Sequence, residues 1–167
     1  MTVLSAQSIR RLCTPPPVKA DPLISPFCEE RGIVNGKSYG LSACTYDCRI
    51  DQDLELDCIP LGLVADFMRD NYCLNWSDAA HLATRFGEVR FTTLASTIER
   101  FCFPADVCGS VLDKSSYARV FVSAFNTHLD PGGRGWLTVE LVNLGTERVV
   151  YRRGDPVCQV KFEWLDE

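Results

Sequence analysis

Residues 136–143 read WLTVELVN, an apolar run interrupted by one carboxylate, Glu140. On an extended chain, alternation sets Thr138, Glu140 and Val142 on one face and Leu137, Val139 and Leu141 on the other, the pattern of a strand covered on at least one side. The same texture recurs on both sides of it. Short β-rich runs are predicted at Val89 to Ser96, Val107 to Leu112, Arg119 to Phe125, Arg148 to Tyr151 and Val157 to Trp164, with a further strand at Leu41 to Ile50. Turn chemistry separates the later runs at PAD (104–106), DPGG (130–133), LGT (144–146) and RGDP (153–156). Many short strands at this spacing predict a mainly β fold, sandwich-like or barrel-like, with helices at its margin.

The helices expected are few. Leu4 to Leu12 suits a short helix capped by Ser5 and ended by Pro15-Pro16-Pro17. Asp21 to Gly40, rich in Pro, Gly and polar residues, reads as an extended connection with turns. Residues 61–86 carry helical spacing, with Leu63, Val64, Phe67 and Met68 in one apolar cluster and Trp76, Ala79, Leu82, Ala83 and Phe86 in another beyond a Ser77 cap. They are expected to form a helical insertion within one domain spanning 1–167.

Composition narrows the function. A chain of 167 residues, 46% apolar and 23% charged, holds one ordinary core and excludes a multidomain machine. A net charge of −5 provides no basic field for a nucleic-acid backbone, although a single free nucleotide is compatible with it. The nine cysteines are odd in number and include no C-x-x-C, so buried thiols in a reducing, cytoplasmic compartment are expected in place of a disulfide framework. Cys44 and Cys48 lack a second Cys or His pair and only His81 and His128 are present, so no protein-built metal site is expected. No apolar run is long enough for a membrane span.

Common catalytic signatures are missing: no G-x-S-x-G elbow, no phosphate loop of the G-x-x-x-x-G-K-[ST] kind, no G-x-G-x-x-G, and neither half of the zinc deaminase signature. A polar cluster lies instead between Asp113 and Glu140. Lys114-Ser115-Ser116 with Arg119 gathers an ammonium, two hydroxyls and a guanidinium that suit phosphate oxygens, and equally suit a solvated turn. Asp130 is a turn residue or an acceptor for a sugar hydroxyl. Glu140 belongs to a site or to a buried pair if its face is covered, and to ordinary surface if not.

In this order the motifs resemble those of the dCTP deaminase family, within the wider dUTPase-like superfamily. The resemblance runs from LSACTYDCRI (41–50) through TLASTIERFCFPAD (93–106), DKSSYAR (113–119), HLDPG (128–132) and LTVELVN (137–143) to GDPVCQV (154–160). It implies a distorted β-barrel or jelly roll that forms homotrimers with sites between subunits, and deamination of a cytosine deoxynucleotide, dCTP to dUTP and ammonia, without zinc. Glu140 matches the family's proton-shuttling glutamate, and Ser115 and Arg119 match residues that position the water and that glutamate. Lys114, Ser115 and Ser116 match the phosphate motif, with Mg²⁺ expected on the phosphates. Asp130 matches a residue near sugar and base, Asn126 a carbonyl that helps hold the water, and Gln159 a phosphate-side position.

The chain departs from the family pattern at three places. The stretch between Arg119 and Asp130 is shorter, Gly133 stands where an aromatic is usual, and the sequence ends at Asp166-Glu167 without the usual C-terminal tail. Closure by the 61–86 insertion, a substrate with fewer phosphates, or loss of catalysis is therefore expected. The alternatives are a dUTPase, a bifunctional dCTP deaminase and dUTPase, a deaminase of dCMP or a modified cytosine nucleotide, and a non-catalytic nucleotide-binding regulator.

Overall fold

A computed structural model describes residues 2–14, 21–58, 92–125 and 127–166. The helical insertion expected at 61–86 and the site residue Asn126 lie outside the described residues. The chain opens with β1 (Thr2–Val3) and α1 (Ala6–Cys13), where Ser5 Oγ accepts from the Ser8 amide at 3.3 Å, the N-cap read from the sequence. Then follow β2 (Ile24–Ser25), β3 (Gly32–Val34), β4 (Lys37–Leu41), β5 (Thr45–Arg49), β6 (Leu54–Leu56), β7 (Thr92–Cys102) and β8 (Val107–Asp113). A helical turn, α2 (Ser115–Ala118), precedes β9 (Val122–Ala124), β10 (His128–Leu129), β11 (Arg134–Asn143), β12 (Val149–Tyr151) and β13 (Pro156–Trp164).

Strands β10-β8-β13-β5-β4-β3 form the larger sheet, and β1 pairs with the far end of β13. A second sheet runs β2-β7-β11-β9, and β12 pairs with β6. Every ladder among the described residues is antiparallel, most of them between strands far apart in sequence. The core lies between the sheets. Phe101 of β7, Phe162 of β13 and Phe103 cluster at ring separations of 5.8–6.3 Å, alternate residues Leu137, Val139 and Leu141 of β11 are buried in this layer, and an isolated antiparallel backbone bridge pairs Ile50 with Thr97. Glu99 is fully buried there, its carboxylate accepting from Arg49 Nε at 2.8 Å and the Arg49 amide at 2.9 Å. Burial works against the Arg49 charge, but the hydrogen bond and Coulomb attraction of Glu99 raise its pKa above the ordinary value.

Three sequence expectations change. Alternation in β11 stops at Leu141: Val142 is buried although Thr138 and Glu140 are exposed, because Asn143 ties residues 56, 57 and 147 over the end of the strand. Residues 115–118 are helical and the strand expected from Arg119 shrinks to 122–124. Within the connection expected from Asp21 to Gly40, β3 and β4 form a tight hairpin. Its turn residues Asn35 and Gly36 have φ of 49° and 73°, the left-handed pair that a type I′ turn requires.

The eight described cysteines are free thiols, and among them Cys44 is the exposed one. Burial pushes the Cys13 pKa up to about 12, with only a small opposing hydrogen bond from the Ile24 backbone. At pH 8 this thiol stays protonated, and only thiolate alkylates readily. In native protein a maleimide or iodoacetamide is therefore expected to modify Cys44 before the other described cysteines and Cys13 only after unfolding, read by peptide mass mapping. Early labelling of Cys13 would contradict the packing of α1.

Candidate functional site

The site grows from a buried carboxylate. Asp47 sits on β5 between β4 and β13, fully enclosed, in register with Gly40 on one side and Gln159 on the other. A carboxylate there is tolerable only if its oxygens are satisfied. Lys114 Nζ lies 2.8 Å from Oδ2, Ser38 Oγ donates to the same oxygen at 3.0 Å, and Gln159 Nε2 donates to Oδ1 at 2.6 Å. Lys114 is itself 4% exposed and also donates to Ser38 Oγ at 3.2 Å. An ammonium has three N–H donors, so one remains for a further partner.

Above this network opens a cleft of about 330 Å³ lined by Arg31, Lys37, Ser38, Lys114, Ser115 and Ser116. Ser116 Oγ is buried without a hydrogen-bond partner, and Arg31 Nη2 donates to Ser38 Oγ at 2.8 Å. The floor is fixed from below. Asp113, at the end of β8, accepts from the Ala124 amide at 2.7 Å and from Ser123 Oγ at 3.0 Å, which binds the entry of α2 to β9. Tyr117 of α2 is buried against Tyr151 at a ring separation of 4.6 Å, and burial pushes both phenols up, so they remain protonated.

Arg119 leaves α2 on the exposed side and lines a separate cleft with Phe121, Gly145, Glu147 and Arg148. Asp130 is exposed at the end of β10. It faces a third cleft, about 240 Å³, shared with His128, Arg134, Trp136 and the edges of Phe101 and Phe103. Glu140 stands outward on β11, its carbonyl accepting from the Phe125 amide at 3.0 Å and its register partner being Leu94 on β7. Beside it Leu94 and Phe125 are 61% and 53% exposed, apolar neighbours for a carboxylate, and further along the strand Trp136 is 60% exposed. A bulge between Trp136 and Thr138, held by the Leu137 amide on Thr97 Oγ1 at 3.1 Å, sets which of these side chains face out.

One chain thus gathers Lys114, Ser115, Ser116 and, through Asp47, Gln159, while Arg119, Asp130 and Glu140 occupy three further places on its surface. Arg31, Lys37 and Ser38 were not singled out from the sequence, and Asp47 entered only as part of the YDCR core of the 41–50 motif, with no role. The Asn35-Gly36 pair was the signal for the hairpin that carries Lys37 and Ser38 and begins directly after Arg31.

A family described as dCTP deaminase-like matches residues 87–165. The dCTP deaminase of Campylobacter hominis is 32% identical over 156 residues, covering 84% of this chain and 78% of that protein. The enzyme named dCTP deaminase from Wolinella succinogenes is 29% identical over 157 residues, covering 84% and 81%. Among solved structures, a Staphylococcus bacteriophage 80alpha dUTPase superposes with a TM-score of 0.51 at 9% identity, over 75% of this chain and 79% of that one. Native EIAV dUTPase gives 0.50 at 15%, over 74% and 77%. At such identities the structural likeness speaks for a dUTPase-like fold alone. Motifs in order, fold and sequence identity over most of the chain agree: the chain belongs to the dCTP deaminase family.

Proposed function

We propose that the chain hydrolyses dCTP to dUTP and ammonia, the reaction for which its relatives are named. The observation that carries the site reading is the cationic cleft with an unsatisfied buried hydroxyl at Ser116, beside a family-matched Lys-Ser-Ser run. Phosphate oxygens would satisfy that hydroxyl, the spare Lys114 donor and Ser115 together. Among the described residues no three His, Cys, Asp or Glu side chains surround one point. A Mg²⁺ ion would therefore take its ligands from phosphate and water, where it supplies charge neutralisation.

Glu140 is the proton shuttle in this reading. Water adds its oxygen to C4 of the cytosine ring while one of its protons passes through the Glu140 carboxylate to N3. The remaining hydroxyl proton passes through the same carboxylate to the amino nitrogen. The C4–N bond then breaks with its electron pair on nitrogen, ammonia leaves and the C4 carbonyl forms. Ser115 positions the water, Arg119 orients Glu140, Asn126 offers a carbonyl to the water, Asp130 meets the sugar, and Gln159 braces the phosphate side through Asp47.

A homotrimer with sites between subunits unites these scattered groups. The exposed Leu94 and Phe125 beside Glu140, with Trp136 exposed further along β11, support it, since exposed apolar side chains of this size seek cover. Free thiols suit a cytoplasmic setting. The test incubates the protein and Mg²⁺ with dCTP, dCMP and dUTP, following ammonia and pyrophosphate separately. Ammonia from dCTP without pyrophosphate is expected. Pyrophosphate from dUTP with no ammonia from any cytosine nucleotide would overturn the reading in favour of a dUTPase.

A further inference from the structure

We propose that the β3–β4 hairpin is the second jaw of the phosphate site, with Arg31 and Lys37 binding phosphate oxygens across the cleft from Lys114-Ser115-Ser116. This rests on the phosphate reading above and adds residues that the family motif does not contain. Three cations, Arg31, Lys37 and Lys114, line the cleft, and the buried Asp47 beneath it answers only Lys114 among them. Among the described residues, neither Arg31 nor Lys37 has a carboxylate partner: Arg31 reaches Ser38, and Lys37 Nζ lies 5.0 Å over the Tyr117 ring. Two uncompensated positive charges beside an unsatisfied buried hydroxyl suit a polyanion, and Mg²⁺-bound triphosphate has the matching net charge.

The hairpin is held in place for this task. Asn35 Nδ2 donates to Asp155 Oδ1 at 2.7 Å, clipping the turn to the buried start of β13. A Cβ on Gly32 would fall 2.2 Å from the Tyr39 ring, so only glycine lets that ring lie flat on the opposite strand. The Arg49 guanidinium covers the same ring at 4.9 Å. Both cations therefore stand on a preorganised element, where little ordering entropy opposes binding. Ser38 adds the coupling: its oxygen accepts from Arg31 and Lys114 and donates to Asp47, so the two jaws share one hydrogen-bonded hinge point.

The test uses the full chain with two probes, dCTP turnover and calorimetric binding of inorganic tripolyphosphate. Arg31→Gln and Lys37→Gln are each expected to raise KM for dCTP about tenfold, the size of one lost charge-assisted contact, with kcat within about twofold. Tripolyphosphate affinity should fall by the same factor. Arg31→Lys should retain most binding, and the distant Arg153→Gln should behave as wild type. Unchanged tripolyphosphate affinity in the Arg31→Gln/Lys37→Gln double variant, or no binding by wild type, overturns the hairpin's role. Wild type that binds tripolyphosphate through the hairpin but deaminates nothing supports the clamp while sinking the deaminase reading; deamination unaffected by the hairpin variants does the opposite.

Discussion

Glu140→Gln is expected to lower the rate of ammonia release from dCTP by about 10³-fold, within the range that positioned acid–base groups contribute. The amide keeps the volume and hydrogen-bonding reach of the carboxylate but cannot take a proton from water. Glu140 is exposed in the single chain and has no ion-pair partner among the described residues, so the substitution should move stability by less than about 0.5 kcal/mol. Binding of dCTP should persist, since the phosphate contacts lie on another part of the surface. Stopped single-turnover assays with calorimetry on the same sample separate the two quantities. Ammonia release near the wild-type rate would remove Glu140 from the mechanism.

Arg49→Met should cost about 3–5 kcal/mol of folding stability, the penalty for leaving a buried carboxylate without its counter-charge. Glu99 has no exposure, and after the substitution only the residue-49 amide, among the described residues, would still donate to its carboxylate. Adding Glu99→Leu to Arg49→Met should recover a large part of the loss, because both charged groups are then absent from the interior. Urea midpoints at a constant m value report this directly. A shift below about 1 kcal/mol for the single variant would mean that the pair is solvated in a way its geometry denies. Because Arg49 also covers Tyr39, the variant should loosen the hairpin and weaken tripolyphosphate binding.

Strand existence was legible where apolar alternation coincided with turn chemistry, as at residues 156–164, because a half-covered strand imposes a period of two on its own sequence; at 107–113 the marker was a short apolar run bounded by turns. The Ser5 cap was legible because capping is local. The hairpin was hidden in a polar stretch whose only marker is Asn35-Gly36. Its strands are three and five residues long and mostly half-buried, too little for a periodic signal. Asp47 and Glu99 were equally silent, since a carboxylate announces nothing about burial until its partners from Lys114, Gln159 and Arg49, remote in sequence, are in place. Family motifs located Lys114, Ser115 and Ser116, but the cations opposite them follow from topology.

Asn143 has a consequence for how this chain can vary. Its side-chain amide holds the carbonyls of Leu56 and Asp57, while its neighbour Val142 is in register with Thr92, where the described chain resumes. Departure and return points of residues 59–91 are thus fastened beside one another on the end of β11. With those two ends held together, the closure entropy of any chain joining them grows only logarithmically with its length. Asn143 is thus a seam residue: one side-chain amide sets where the described chain stops and, through its neighbour Val142, where it starts again.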